Sequence, residues 1–290
     1  MTQPLTDPHA TTRSSLPALD HVVADVHDRM DEAVDLYRGL GFQMTPRGKH
    51  TLGSINHLAI FESNYFELLG FEQGASEVRA DIMRFPIGLN GLVFQSDDSA
   101  ATYAQMTGNG VPVQEPLEFF RPVDLGDGKR ENARFRVVRL PPGTISGGRL
   151  YFCHHFTRHL VWRDEWRHHA NGATNIAAVT MVAPDPAATA KIFRRMFGEA
   201  AVRDGPNGVT LQMTNASVEI VAPEALSRRF AAAAPDPAGR GEYLAALTIK
   251  TTGLAKTAQA LAGRQGVRSH AGGLVVDAAQ AFNVTLEFVD

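Results

Sequence analysis

The sequence predicts an α+β protein made of four copies of a β-α-β-β-β unit, used as two tandem pairs. Three observations carry that expectation. A short apolar strand, a helix ending at glycine and then further strands recur along the chain. Within each copy the apolar residues switch from strand spacing to helical spacing and back. Polar connectors at 157–172 and 231–241, the second with an alanine run and Pro235-Asp236-Pro237, separate the later copies.

In the first unit, residues 19–26 read as a strand. Asp28 can cap a helix whose apolar positions Met30, Ala33, Val34, Tyr37 and Leu40 fall at helical spacing, and Gly41 stops it. Strands are expected at 42–45, 55–61 and 65–71. The second unit opens at Gly91-Leu92-Val93-Phe94. Asp97 or Asp98 caps a helix bearing Ala101, Ala104 and Met106, and Gly108-Asn109-Gly110 ends it. Strands are expected at 111–117, 133–140 and 148–156, with a long polar loop at 119–131 of the kind that forms lids or specificity elements.

The third unit is the clearest. A strand at 174–182 leads to Asp185-Pro186, an N-cap oxygen followed by proline at the first helical position. Ala190, Ile192, Phe193, Met196 and Phe197 form the apolar face, Gly198 ends the helix, and strands follow at 209–213 and 217–222. The fourth unit is weaker: a strand at 243–250, a helix capped near Thr252 and ending at Gly263, then strands at 274–276 and 282–289. The organisation expected is a flexible leader at 1–17, a first domain at 18–157, a connector at 158–172 and a more divergent second domain at 173–290.

A net charge of −3 gives no reason to expect nucleic acid or an anionic membrane as partner. The single cysteine, Cys153, excludes an intrachain disulfide and fits a reducing cytoplasm. The leader lacks the apolar run of a signal peptide, and the longest apolar stretch, 173–183, is interrupted by Thr174, Asn175 and Thr180. A soluble, cytoplasmic protein is expected. There is no P-loop, no H-E-x-x-H and no G-x-S-x-G, and Gly126-Asp127-Gly128 reads as a turn.

Chemistry enters with two residues. His21 lies on the opening strand of the first unit and Glu67 on its closing strand, both among apolar neighbours. An ionised carboxylate there is costly unless paired or bound to a metal.

A paired β-α-β-β-β unit that opens Asp20-His21-Val22-Val23 and closes Tyr65-Phe66-Glu67-Leu68-Leu69 resembles the vicinal oxygen chelate superfamily. More narrowly it resembles glyoxalase-like domain proteins, of the glyoxalase, bleomycin-resistance and extradiol dioxygenase type. Gly39-Leu40-Gly41-Phe42, Thr45-Pro46-Arg47-Gly48, Asn56-His57-Leu58, Leu160-Val161-Trp162 with Trp166, and Asn171-Gly172-Ala173 add to it. The likeness is close over residues 19 to about 183; beyond that it is one of element order. It implies that each pair of units closes a cup-shaped, eight-stranded mixed sheet, flanked by helices, around a divalent metal. The ligands come from the first and last strands of each unit, and substrates chelate through neighbouring oxygens. Members isomerise, epimerise, open epoxides with thiols or cleave rings, and some bind drugs without reaction.

Carried over residue by residue, the resemblance makes His21 and Glu67 metal ligands. Gly91 stands opposite His21, so one ligand is lost. Cys153-His154-His155 ends the second unit near the place of Glu67, and a histidine there would complete two imidazoles and a carboxylate, a set that suits iron. Adjacent strand residues face opposite ways, so one of the two points into the cup; His155 is favoured over His154. In the second half Asn175 stands opposite His21 and Glu219 opposite Glu67, with Glu287 ending the last unit; a structural or dimer-forming role is expected there. His57 can line the cup, Trp162 and Trp166 can cover an apolar substrate, and Arg47, with Lys49 and His50, can meet an anionic group. A packed or solvated role is the plainer reading of each. His159, His168 and His169 read as surface residues and Cys153 as a core thiol. The function expected is a metal-dependent lyase, isomerase or dioxygenase, using Fe, Mn, Ni or Zn, on a small oxygen-rich substrate, with Glu67 as ligand or general base. The competing expectation is a non-catalytic small-molecule or drug-binding protein with an apolar, metal-free cup. A homodimer is also expected.

Overall fold

Residues 16–75, 79–126 and 128–290 are described in a computed structural model of the chain. The leader expected at 1–17 therefore lies outside the described residues apart from Leu16 and Pro17, and so does Asp127 of the expected turn.

Two eight-stranded mixed sheets organise the chain. The first unit supplies β1 (Leu19–His27), α1 (Met30–Gly39), β2 (Gly48–Lys49), β3 (Ile55–Ile60) and β4 (Tyr65–Gly70). After a short helix α2 (Ala80–Met83), the second supplies β5 (Gly88–Ser96), α3 (Ser99–Gly108), β6 (Leu117–Gly126), β7 (Lys129–Arg139) and β8 (Arg149–His155). The sheet order is β2-β3-β4-β1-β5-β8-β7-β6. β1 and β5 pair antiparallel at the centre, each flanked by its own unit's last strand in parallel. The two edges almost meet: the Thr51 N–H donates to the Phe120 carbonyl at 3.1 Å. The sheet thereby becomes a cup rather than an open plane.

The second half repeats this plan with β9 (Ala173–Val182), α4 (Pro186–Phe197), β10 (Val202–Gly205), β11 (Gly208–Gln212), β12 (Ser217–Val221), α5 (Pro223–Phe230), β13 (Tyr243–Thr251), α6 (Leu254–Ala260), β14 (Val267–His270), β15 (Gly273–Val276) and β16 (Thr285–Val289). Its order is β10-β11-β12-β9-β13-β16-β15-β14. The α+β class and the tandem paired units are thus the observed architecture. Among the described residues no helix is long and apolar enough to cross a membrane.

Helices follow the sequence signals. Met30, Ala33, Val34 and Tyr37 are the buried face of α1. Asp98 caps α3 by accepting from the Ala100 and Ala101 N–H groups, and Asp185 caps α4 by accepting from Ala188 N–H, with Pro186 next to it. Asp28 does not cap α1, whose N-cap is Arg29 without a side-chain hydrogen bond.

Three strand expectations are corrected. Residues 42–45 form no strand, and only Gly48–Lys49 pairs with β3. Residues 111–116 are outside the ladder. The loop expected at 119–131 is instead a long β6–β7 hairpin, in register from Leu117↔Val137 to Gly126↔Lys129. Its outward residues Glu118, Phe120, Asp124 and Arg130 are exposed, which gives the segment its loop-like polarity, while Arg121 and Val123 are buried on the inner face. One core runs through both halves: Phe94 of β5 packs on Phe193 and Phe197 of α4, and Tyr37 of α1 donates to the Ala281 carbonyl at 3.1 Å.

Candidate functional site

Inside the first cup lies a cavity of about 260 Å3 whose lining includes His21, Glu67, Tyr65, Tyr151 and Arg121. His21 comes from β1 and Glu67 from β4, adjacent parallel strands in which Val23 is opposite Glu67. Both side chains are nearly shielded from solvent. His21 Nε2 stands 3.5 Å from Glu67 Oε2 and 3.4 Å from the Tyr151 hydroxyl. Tyr65 stacks on the His21 ring at 4.3 Å and fixes its plane.

The other nitrogen of His21 is spoken for. Asp20, fully buried, accepts from His21 Nδ1 at 2.6 Å and from His155 Nε2 at 2.9 Å on the same oxygen. Burial alone pushes the Asp20 carboxyl up, yet the two imidazoles outweigh it and hold the group well below the usual carboxylate range. An ionised Asp20 accepts a hydrogen bond from His21 Nδ1 and so turns the Nε2 edge of the ring toward Glu67. Glu67 is itself held, since Asn56 Nδ2 donates to its Oε1 at 2.6 Å and also meets His50 Nε2 at 3.2 Å. Burial pushes His50 down to about 4, with the Arg121 guanidinium contributing, so this imidazole is neutral. His21 Nε2 and Glu67 Oε2 therefore face one another across 3.5 Å, an arrangement that a cation or proton between them satisfies.

Strand register identifies what occupies the remaining ligand positions. β1 and β5 pair with His21↔Val93 and Val23↔Gly91, so the two-fold axis between units carries His21 onto Gly91. By the same operation Glu67, opposite Val23, is carried onto Tyr151, opposite Val93. A Cβ on Gly91 would come within 2.9 Å of Val23 Cβ, so no ligating side chain fits there without displacement. Burial holds the Tyr151 phenol protonated, well above the usual range.

This register places the two terminal histidines of β8 away from the position equivalent to Glu67. His155 does share the inner face with Tyr151 and Cys153, but it lies four residues past the Glu67-equivalent position and binds Asp20, on the far side of the His21 ring from Glu67. His154 points to the other face, toward Ser99 and Phe156. Asp20, Cys153 and His155 nevertheless bring ligand-type atoms within 4.8 Å of one another, a second group able to hold a metal. Asp20 Oδ1 is already shared by two imidazoles and burial pushes the Cys153 thiol up, but Asp20 Oδ2 and His155 Nδ1 are buried without a hydrogen-bond partner, so this group keeps two free ligand atoms.

None of the three residues expected to contact substrate lines the cavity. His57 alternates to the outer face of β3, where its Nδ1 meets the Thr45 carbonyl at 2.7 Å. Arg47 is drawn outward by Asp31 and Glu72. Trp162 sits behind Tyr65 and His155, with the Arg158 guanidinium 3.4 Å above its ring. His169, expected at the surface, is buried: it accepts from Gln43 N–H and meets the Ile60 carbonyl. The residues missed by sequence reasoning are Asp20, Asn56, Tyr151 and Arg121.

The second cup is built differently. Register puts Thr180 opposite Glu219 and Thr248 opposite Glu287, so the His21-equivalent positions are Ala178 and Ala246, not Asn175. Asn175 instead accepts from Ser63 in the first half. Arg229 of α5 donates to both Glu219 and Glu287 and closes the pair.

A sequence profile described as glyoxalase-like domain matches residues 19–197. No curated protein sequence matches the chain. Among solved structures, a hypothetical protein from Staphylococcus aureus aligns over 94% of this chain and 99% of its own, at 12% identity and a TM-score of 0.64. A mutant of 4-hydroxymandelate synthase from Streptomyces coelicolor aligns over 94% and 92%, at 10% identity and a TM-score of 0.56. A xylose isomerase-like TIM barrel/4-hydroxyphenylpyruvate dioxygenase fusion protein aligns over 94% of this chain and 49% of its own, at 14% identity and a TM-score of 0.54. At these identities the likeness is one of fold.

Proposed function

Because the chain belongs to the glyoxalase-like domain family of the vicinal oxygen chelate superfamily, we propose that its first cup is the active site of a metal-dependent enzyme acting on a small, oxygen-rich substrate. One observation carries this reading: His21 Nε2 and Glu67 Oε2 face each other at 3.5 Å on the wall of a cavity large enough for a small molecule. His21 and Glu67 would hold the metal, with the Tyr151 oxygen as third neighbour. A divalent ion there supplies Lewis-acid polarisation of a bidentate oxygen substrate.

The chain's own groups have definite tasks in this reading. Asp20 fixes the His21 tautomer and ring orientation, as carboxylates behind ligating histidines do. Asn56 occupies Oε1 of Glu67 and keeps Oε2 turned to the cavity. Tyr151, protonated, can donate to a substrate oxygen bound beside His21. The 4-hydroxymandelate synthase and dioxygenase relatives in fold keep dioxygenase chemistry among the reactions to be tried, beside lyase and isomerase chemistry.

A second reading is favoured by Gly91, whose surroundings leave no room for a fourth ligand: a binding protein that holds a small molecule in the same cup without metal or reaction. Elemental mass spectrometry on protein purified without chelator separates the two. About one ion of Fe, Mn, Ni or Zn per chain, lost in His21→Ala and Glu67→Ala but kept in His155→Ala, supports the enzyme. Loss in His155→Ala and Cys153→Ser alone moves the metal to the Asp20 group. No metal, and none taken up on addition, leaves the binding protein.

A further inference from the structure

The first cup also contains a charge that the metal site does not use. Arg121 is an inward residue of β6, only 3% exposed, and its guanidinium has no carboxylate partner: no ion pair or side-chain hydrogen bond joins it to a described residue, and its Nη2 is wholly buried without an acceptor. The contrast with its neighbours is sharp. Arg149 is paired with Asp25, Arg79 with Asp81, and Arg47 with Asp31 and Glu72. Glu67 lies beyond ion-pair reach of Arg121 and is engaged by Asn56. Burial outweighs the distant favourable charge of Glu67, and a buried guanidinium with no direct partner is costly and persists where a ligand completes it.

The backbone makes room for this arginine. Its Cδ runs across Gly48 of β2, where an added Cβ would come within 2.9 Å of that Cδ and 2.2 Å of Asn56 Oδ1. Asn56, whose Nδ2 donates to Glu67, flanks the same glycine, so the arginine stem and the partner of Glu67 share one wall of the cup. The lining of the cavity as a whole carries five arginines (79, 84, 121, 139 and 149) against two carboxylates, Glu67 and Asp81, in a chain whose net charge is −3. The cup is thus a locally positive site in an acidic protein, which concentrates anions. One part of its wall is apolar, with Leu58, Leu69 and Val137 and the stacked rings of Phe119 and Phe135.

We propose that Arg121 is the anchor for an anionic head group, and that the substrate of the first cup is a small organic oxyanion, a carboxylate or phosphate ester with an apolar body. The planar fork of the guanidinium takes two oxygens of such a head, while the body lies against Phe119 and Phe135. This rests on the reading of the first cup as the substrate site, and it holds for enzyme and binding protein alike. Arg121 would then set substrate class, and the metal-binding pair the reaction.

The test uses phenylacetate, its neutral isostere phenylacetamide, and phenyl phosphate, titrated at low salt into the full-length protein, as purified and after chelator treatment. Calorimetry on the wild type should show one of the two anions binding roughly 10- to 100-fold tighter than the amide, with and without metal; which anion does so assigns the head group. Arg121→Met should abolish that preference, leave amide binding and metal content unchanged, and melt no lower than wild type, since a buried unpaired charge has been removed. Equal binding of amide and anions, an anion preference that survives in Arg121→Met, a preference that vanishes with the chelator, or no anion binding up to millimolar concentrations would overturn the assignment. Metal content, read separately, reports on the metal-dependent reading alone.

Discussion

Asp20 shows how one buried carboxylate governs the site without touching its open face. The registers Leu19↔Phe94 and His21↔Val93 leave Asp20 as the extra residue of a β-bulge, so it escapes strict alternation and reaches the Nδ1 side of its own neighbour, His21. In Asp20→Asn the acceptor for two imidazole N–H groups is weakened and the His21 tautomer is freed. Metal affinity measured by chelator competition should fall about 10- to 100-fold, as for other partners of ligating histidines; unchanged affinity would remove Asp20 from the site. The sequence made His21 and Glu67 legible because both sit on regular strands. It concealed Asp20, because a bulge leaves no mark in an apolar pattern, and Tyr151, because an aromatic strand residue reads as core. His169 gives a second test at this scale. Gln43 N–H donates to its Nδ1, so Nε2–H donates to the Ile60 carbonyl, and a second ring proton would set two donors against each other. Burial lowers this histidine from an ordinary value of 6.5 to about 4. The folded chain therefore binds the proton less readily than the unfolded one. The associated stability is fully present above pH 6.5 and is lost as the pH falls toward 4, on the order of 3 kcal/mol in all. Denaturant melts from pH 7 to pH 4 should show a shallower acid loss in His169→Gln than in wild type; parallel profiles would refute this.

The decisive element is the β6–β7 hairpin, which the sequence presents as a polar loop. Its outward charges mask an inner face on which Phe119, Arg121 and Val123 alternate, and the glycines at 126 and 128, with φ of 84° and 73°, mark its tip. The loop expected there, of the lid or specificity kind, is a paired hairpin whose inner face lines the cup. A strand fixes Arg121 more firmly than a loop does, because each residue of β6 is registered against β7. β2 is the complementary element, two residues long and tied to the hairpin only through close approach. Gly48→Ala puts a methyl group into Asn56 Oδ1 and the Arg121 stem. It should weaken anion binding about tenfold or more and lower stability by about 1–3 kcal/mol, as overpacking does. Binding and melting equal to wild type would show that the edge yields freely, and that Gly48 does not position the arginine.

At the scale of the whole molecule, four related units have diverged around one plan, and the divergence is legible only through register. The unit order could be read from strand and helix periodicity, because burial on a shared core demands it of both halves. Ligand positions could not be, since a shift of a few residues along a strand moves a histidine from the site to its rim, as with His155, or substitutes Asn175 for Ala178. In the second cup the two glutamates persist without their histidines, and Arg229 occupies the place between them, with Thr248 also donating to Glu287 at 2.8 Å. Glu287 is buried, so its charge depends on that partner. Arg229→Met should leave two facing carboxylates with only His270, 3.5 Å from Glu287, and Thr248 beside them, and destabilise the chain by about 2–3 kcal/mol, below the value for a wholly buried pair because Arg229 and Glu219 are each about a third exposed. Adding Glu219→Gln and Glu287→Gln should recover most of that loss, and metal content in the first cup should not change in either variant. Urea melts that place Arg229→Met level with wild type would mean the arginine is not what holds the two glutamates together in this half. A loss of first-cup metal in a chain that still folds would show instead that the two cups are coupled through the core they share.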